Sequence, residues 1–227
     1  MKGCLTILLL LVALFIGGVW YVFRPMTLGI TYTAADMESA TKKLGVIFEA
    51  LPPGTTGKTL VVSGSHPVDQ TFTSSELTAL ADNRSKQYSL FPFKNVEIRV
   101  KSDGSVEGSA TVGFGDAVRH LISLGVAEQD INEAAAKFNI PNATLPVYMN
   151  VSGNVINDES RLSVHNAKIA NIAVPKQYID QYGPALNPLI DSVIQSRKPS
   201  YRMDRLEVID GKVHFKGTSP NREQAVR

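Results

Sequence analysis

The chain carries a single cysteine, Cys4, so an intrachain disulfide and a multi-thiolate metal centre are both excluded. It also lacks a charge imbalance. Setting aside Lys2 and Arg24, which flank the first apolar run, reduces the 23 basic residues to 21, matched by 21 acidic ones. A neutral remainder offers no broad cationic surface for counterion release from a phosphate backbone, which argues against nucleic acid as a partner. Proline and glycine, at 12 and 17 of 227 residues, are close to ordinary use, so collagen-like and low-complexity classes fall away. That length holds one domain or two small ones with ample chain for a core.

Familiar catalytic and metal motifs are missing as well. Gly57-Lys58-Thr59 has the ending of a phosphate loop, but Pro52 stands where its first glycine belongs and the segment runs from helix to strand. Gly113-x-Gly115 has Val118 at the third glycine position of a dinucleotide fingerprint. His66, His120, His165 and His214 show no helical pairing and no ligand spacing. No nucleophile elbow occurs, and the neighbours Ser65 and His66 would point to opposite faces of a strand. No catalytic residue, metal or cofactor is nominated. A hydrolase with a site assembled from distant residues stays open.

One long hydrophobic run is present. Leu5 to Phe23 is free of charge, with Trp20 and Tyr21 at its far end and Pro25 beyond it. At about 1.5 Å per residue such a helix spans roughly 28 Å, the thickness of a hydrocarbon core. The run is too long for a signal peptide and no small-x-small cleavage site follows it. The expectation is a single-pass cell-membrane anchor with the C-terminal domain outside the cytoplasm.

Beyond that run, hydrophobic period sorts the chain into helices and hairpins. Thr33-x-x-Asp36 opens a helix with Met37, Ala40, Leu44, Ile47, Phe48 and Leu51 on one face, ended by Pro52-Pro53-Gly54. Leu60–Val62 reads as a strand, and Thr73-x-x-Glu76 caps a second helix. Val96, Ile98 and Val100, then Val106 to Phe114, alternate about the Asp103-Gly104 turn, a strong hairpin signal. A helix over 116–138 breaks near Gly125. Leu145 to Val155 and Leu162 to Ile169 form a second hairpin, whose change of parity predicts a bulge. A helix from Ile179 to Ile194 is split by Pro184 and Pro188, and a third hairpin runs from Arg205 to Gly217 around Asp210-Gly211.

The predicted plan is α+β: an N-terminal transmembrane helix, then a curved antiparallel sheet of hairpins packed on long helices. Its divisions are a flank over 1–4, an anchor over 5–23, a juxtamembrane helical segment over 24–58, the main domain over 59–218 and a disordered tail over 219–227. Residues on the apolar side of their strands are Ile98, Val112, Phe114, Val147, Met149, Val164 and Phe215, the candidates for lining an acyl-chain groove. Gly108, Ala110, Gly153, Ala167 and Gly217 share that side; they either leave a channel or let the sheet bend. Arg197, Lys198, Arg202 and Arg205 form a basic cluster, either a helix C-terminus offsetting its dipole or a headgroup and membrane-surface contact.

From Phe72 onward, over roughly 60–218, the chain resembles bacterial membrane-anchored envelope proteins related to the tubular lipid-binding (TULIP) superfamily. Phe72-Thr73-x-x-Glu76-Leu77-x-x-Leu80, the segment Val96 to Val100 with the Asp103-Gly104 turn, and the Leu206 to Gly217 hairpin carry the likeness. The resemblance implies a sheet wrapped on a long helix, enclosing an apolar groove for a membrane lipid or lipid-linked glycan precursor. It implies holding or transfer without covalent chemistry; an envelope protein as partner is the expectation of the rival scaffold reading. The chain holds one such module, where two-module members form a long tube. The rival expectation is a tethered, non-catalytic scaffold for envelope assembly with a filled core.

Overall fold

The computed structural model describes residues 21–49, 59–87, 91–123, 127–137 and 142–226. Residues 25–33 form a strap outside any helix or strand, with Gly29 left-handed at φ 70°. Glu97 accepts hydrogen bonds from the Thr27 hydroxyl (2.8 Å) and from the Leu28 and Ile30 amides (2.7 and 3.1 Å), while Arg99 donates to the Leu28 carbonyl. The strap leads into α1 (Ala34–Leu44), where Thr33 and Asp36 complete the expected capping box. The helix stops earlier than its apolar period suggests. Gly45 takes a left-handed conformation at φ 66° and donates to the Thr41 carbonyl, so Ile47 and Phe48 fall in a strand, β1 (Ile47–Glu49).

β2 (Thr59–Ser63) and β3 (His66–Phe72) follow, then α2 (Ser74–Gln87). The first predicted hairpin is β4 (Phe93–Val100) and β5 (Ser105–Gly113). Phe114 is not on the strand but opens α3 (Phe114–Ser123), which is followed by α4 (Glu128–Lys137). The second hairpin is β6 (Thr144–Ile156) and β7 (Glu159–Ile169), with the short β8 (Ile172–Ala173) beyond it. The expected bulge is present, since Asn150 pairs with Asn166 but Val151 pairs with Val164. The proline-split helix becomes α5 (Lys176–Tyr182), a 3-10 turn over Gly183–Ala185, and α6 (Leu186–Gln195). The third hairpin is β9 (Arg202–Ile209) and β10 (Lys212–Ser219).

Eight strands make one antiparallel sheet ordered β3-β10-β9-β6-β5-β4, with β7 on the far side of β6 and β8 on β7. Its spine is β6. One edge of β6 pairs with β5 from Thr144 to Ser152 and then passes to β9 at Val155 and Ile156; the other edge pairs with β7. Gly153 sits at the handover with φ 128°, and a Cβ there would lie 2.0 Å from the Arg161 carbonyl oxygen. Only glycine allows the sheet to bend there. Gly217 makes a similar approach to Arg202. Ala40, Val68, Phe72 and Phe215 form a packed core where α1 and α2 cover β3, β10 and β9.

Two further expectations are corrected. Residues 222–226 of the supposed disordered tail form β11 (Arg222–Val226), which lies parallel to β1 and antiparallel to β2 in a second, three-stranded sheet. Its Glu223 is buried and accepts from the Tyr201 hydroxyl at 2.9 Å. The transmembrane helix is the other. Among the described residues no helix is long and apolar enough to cross a membrane. The longest, α2, has 14 residues, about 21 Å against a core of about 30 Å. Of the run Leu5 to Phe23, only Tyr21, Val22 and Phe23 are described; residues 5–20 lie outside. The fold is therefore α+β without a described spanning helix, and the single-pass membrane placement inferred from the run is not supported.

Candidate functional site

Residues facing each other across an antiparallel ladder share a face, so the registers fix what lies beside what. Four cross-strand rows matter. Val112 of β5 stands opposite Leu145, and Ala110 opposite Val147 and then Ile169. Next comes the row Ile98, Gly108, Met149, Ala167, running from β4 to β7. Beyond it is the row Val100, Val106, Val151, Val164. The apolar alternation therefore builds one continuous inner face.

Helices wall this face on both sides, and the way they attach follows from two repeat lengths. Four residues of helix advance about 6 Å and two residues of strand about 6.7 Å. Side chains at i and i+4 of a helix can thus meet alternate residues of a strand edge. On the β4 edge, Ser74 of α2 accepts from the Val100 amide at 2.9 Å, and Thr78 accepts from the Ile98 amide at 2.9 Å while donating to its carbonyl. On the β7 edge, Asn187 of α6 accepts from the Leu162 amide at 2.7 Å and donates to its carbonyl; Asp191 accepts from the Ser160 amide at 2.8 Å. Leu77 and Ile190, each three residues beyond the first bonding position, point into the space between the helices. The result is a trough floored by the sheet and walled by α2 and α6.

Two apolar cavities open on this face. The larger, about 370 Å³, lies between the sheet residues Val112, Leu145, Val147 and Ile169 and the helices α3 and α4, which contribute Phe114, Val118, Leu121 and Ile131. The second, about 310 Å³, lies over Ile98, Val106, Val151, Val155 and Leu206, between Leu77 and Ile190. Each volume is in the range of small-molecule sites, about 300–1,000 Å³. Among the described residues the larger cavity has one charged lining residue, Asp130, and the second has Glu207. Between them, on the same face, sits the Gly108–Met149 row. An added Cβ on Gly108 would meet nothing within 4 Å, and Met149 is 37 % exposed.

The sequence candidates divide accordingly. Val112, Phe114 and Val147 meet in the larger cavity and Ile98 lines the second. Met149 stands between the two. Val164 lies on the inner face but is roofed by the 3-10 turn, where it packs against Gly183. Phe215 is a buried core residue, beside only a cleft of about 150 Å³ that also touches Leu77 and Met203. The small residues also divide: Gly153 and Gly217 serve close backbone approach, whereas Gly108 leaves space.

The basic cluster does not converge on a free anion site. Lys198 pairs with buried Asp158 at 2.8 Å, Arg202 with Asp204 at 2.8 Å and Arg205 with Glu207 at 3.3 Å. Burial pushes the Asp158 carboxyl up. The hydrogen bonds from Lys198 and the Met203 amide, with the Lys198 and Arg202 charges, outweigh burial and hold the carboxyl below the ordinary aspartate range. Arg197, next along, is half-buried.

The sequence reading missed the helix side chains that fasten the walls, as well as one Ser–His contact. Ser152 lies 2.6 Å from His165 across the β6–β7 bulge. His165 is exposed there. Sequence distance hides such pairs; only the bulge register brings these two together.

No protein-family model, curated protein or solved structure matches this chain.

Proposed function

We propose that the protein binds the aliphatic portion of a lipid, or of a lipid-linked precursor, in the trough on the inner face of its sheet, and holds or hands over that molecule without covalent chemistry. The observation that carries this reading is the pair of apolar cavities, about 370 and 310 Å³, on one sheet face. Each methylene moved from water into such a lining gains about 0.8 kcal/mol. Transfer from another hydrocarbon environment is nearly isoenergetic, so loading and release need no fuel. Ile169, which lines the larger cavity, is 40 % exposed, and its β8 neighbour Ile172 is 61 % exposed, so apolar surface continues from the cavity to solvent. The rival reading, a scaffold with a filled core, has no use for voids of this size.

The test is native mass spectrometry of the purified chain together with displacement of the fluorescent fatty acid cis-parinaric acid. Co-purifying lipid and saturable probe binding, both lost in Val147→Arg with the melting transition retained, is the expected result. A lipid-free protein that binds no probe ends the proposal.

A further inference from the structure

We infer that Gly108 sets the length of hydrocarbon the protein accepts, because the absent side chain is the passage by which one unbranched chain runs from the larger cavity into the second. The inference rests on reading the trough as a hydrocarbon site. It goes beyond that reading by joining two cavities into one elongated site and assigning its specificity to a single position.

The geometry is that of the ladder. Val147 lines the larger cavity and Val151 the second, and both lie on the inner face of β6. They are four residues apart, about 13 Å along the strand. The only row between them on that face is Ile98–Gly108–Met149–Ala167. In that row Gly108 offers no side chain, and the space a Cβ would take is open to beyond 4 Å. Its β4 neighbour, Ile98, already belongs to the second cavity. Its β6 neighbour, Met149, is an unbranched, three-torsion side chain that can lie along a passing alkyl chain rather than across it. Glycine is a poor strand residue, about 0.5–1 kcal/mol worse than alanine in an element interior. No backbone requirement accounts for it, since its φ lies outside the left-handed region and no neighbour crowds it. Gly153 and Gly217, with carbonyl oxygens 2.0 Å from a would-be Cβ, show what a structurally required glycine looks like in the same sheet.

The occupant follows from the shape. A site of two apolar ends and a one-residue waist suits a single extended aliphatic chain. A compact ring system would fill one cavity and leave the waist unused.

The experiment measures displacement of cis-parinaric acid by octanoate and by palmitate, using the full chain and the variants Gly108→Ala, Gly108→Val and Gly108→Leu. The expected result is that wild type prefers palmitate, and that this preference falls tenfold or more in Gly108→Leu while octanoate still binds and the melting transition is not lowered. Gly108→Val falls in between and provides a second reading should the leucine variant fail to fold; Gly108→Ala stays near wild type. A leucine or valine variant that folds and keeps the full palmitate preference overturns the inference but leaves the site itself intact. Failure of wild type to bind either acid overturns both the site and the inference.

Discussion

Asn187 holds Leu162 by both ends of its side-chain amide, the oxygen accepting from the backbone amide at 2.7 Å and the nitrogen donating to the carbonyl at 3.1 Å. On the opposite flank Thr78 does the same to Ile98 with one hydroxyl. In both cases a helix side chain supplies the pairing that a neighbouring strand would supply. A part-buried backbone group left without a partner loses its full desolvation energy, so these contacts fix where the walls of the trough stand.

Thr78→Val keeps the shape of the side chain but removes both hydrogen bonds to Ile98. Chemical denaturation is expected to show a loss of about 1–3 kcal/mol, the cost of orphaning a buried amide. Asn187→Leu is expected to behave alike on the other flank. A loss below about 0.5 kcal/mol in both variants, within the range of ordinary surface substitutions, removes the edge contacts from the account of stability.

Gly108→Ala and Gly153→Ala differ by one methyl each and are expected to move in opposite directions. At Gly108 the methyl enters open space and relieves the entropy cost of glycine, so stability rises by a few tenths to about 1 kcal/mol. At Gly153 it meets the Arg161 carbonyl in a left-handed conformation, and the loss is at least about 2 kcal/mol. Equal effects, read from paired thermal melts, contradict the division of roles between the two glycines.

Asp158 and Lys198 link stability to acid. Because the folded carboxyl titrates below its unfolded value of about 3.9, its contribution is complete above that pH. It is lost as the pH falls toward the depressed value. Asp158→Asn is expected to cost about 1–2 kcal/mol near neutrality, a modest figure because Lys198 is 39 % exposed. The gap between the two proteins should close below about pH 4. A gap that stays constant down to pH 2 assigns the effect to packing instead of charge.

Ending the chain after Ser219 removes β11 and leaves β1 and β2 without the strand between them. Hydrogen exchange of the amides from Ile47 to Glu49 and from Thr59 to Ser63 is expected to accelerate tenfold or more, with a lower melting temperature. Unchanged exchange shows that β1 and β2 hold without β11.

The first and third hairpins were legible because two local signals agree, alternation on the strands and an Asp-Gly pair at the turns, Asp103-Gly104 and Asp210-Gly211; the second turns at Asn157-Asp158. The inner face followed from alternation alone, so Ile98, Val112 and Val147 were placed on the side that carries the cavities. Three features were not legible. The period of α1 continues smoothly into Ile47 and Phe48, and only the left-handed Gly45 ends the helix. β11 reads as polar because it opens Arg222-Glu223-Gln224, and the buried Glu223 finds its partner Tyr201 22 residues away. Whether the inner face is filled or hollow depends on where α2, α3 and α6 stand, which long-range contacts such as Asn187 to Leu162 decide. A hydrophobic run sufficient in length to span a bilayer was also read as an anchor, and no described helix supports that step.

The fastening of α2 and α6 restricts how this molecule can join others. A peptide that recruits itself by adding a strand needs an unclaimed row of amides and carbonyls. At Ile98 and Val100 on one flank, and at Ser160 and Leu162 on the other, that row is already occupied by Ser74, Thr78, Asn187 and Asp191. At these four positions the helices stand where an added strand would pair, so strand-wise recruitment and edge-to-edge fibre growth are blocked there, and a companion protein meets side chains and not free backbone.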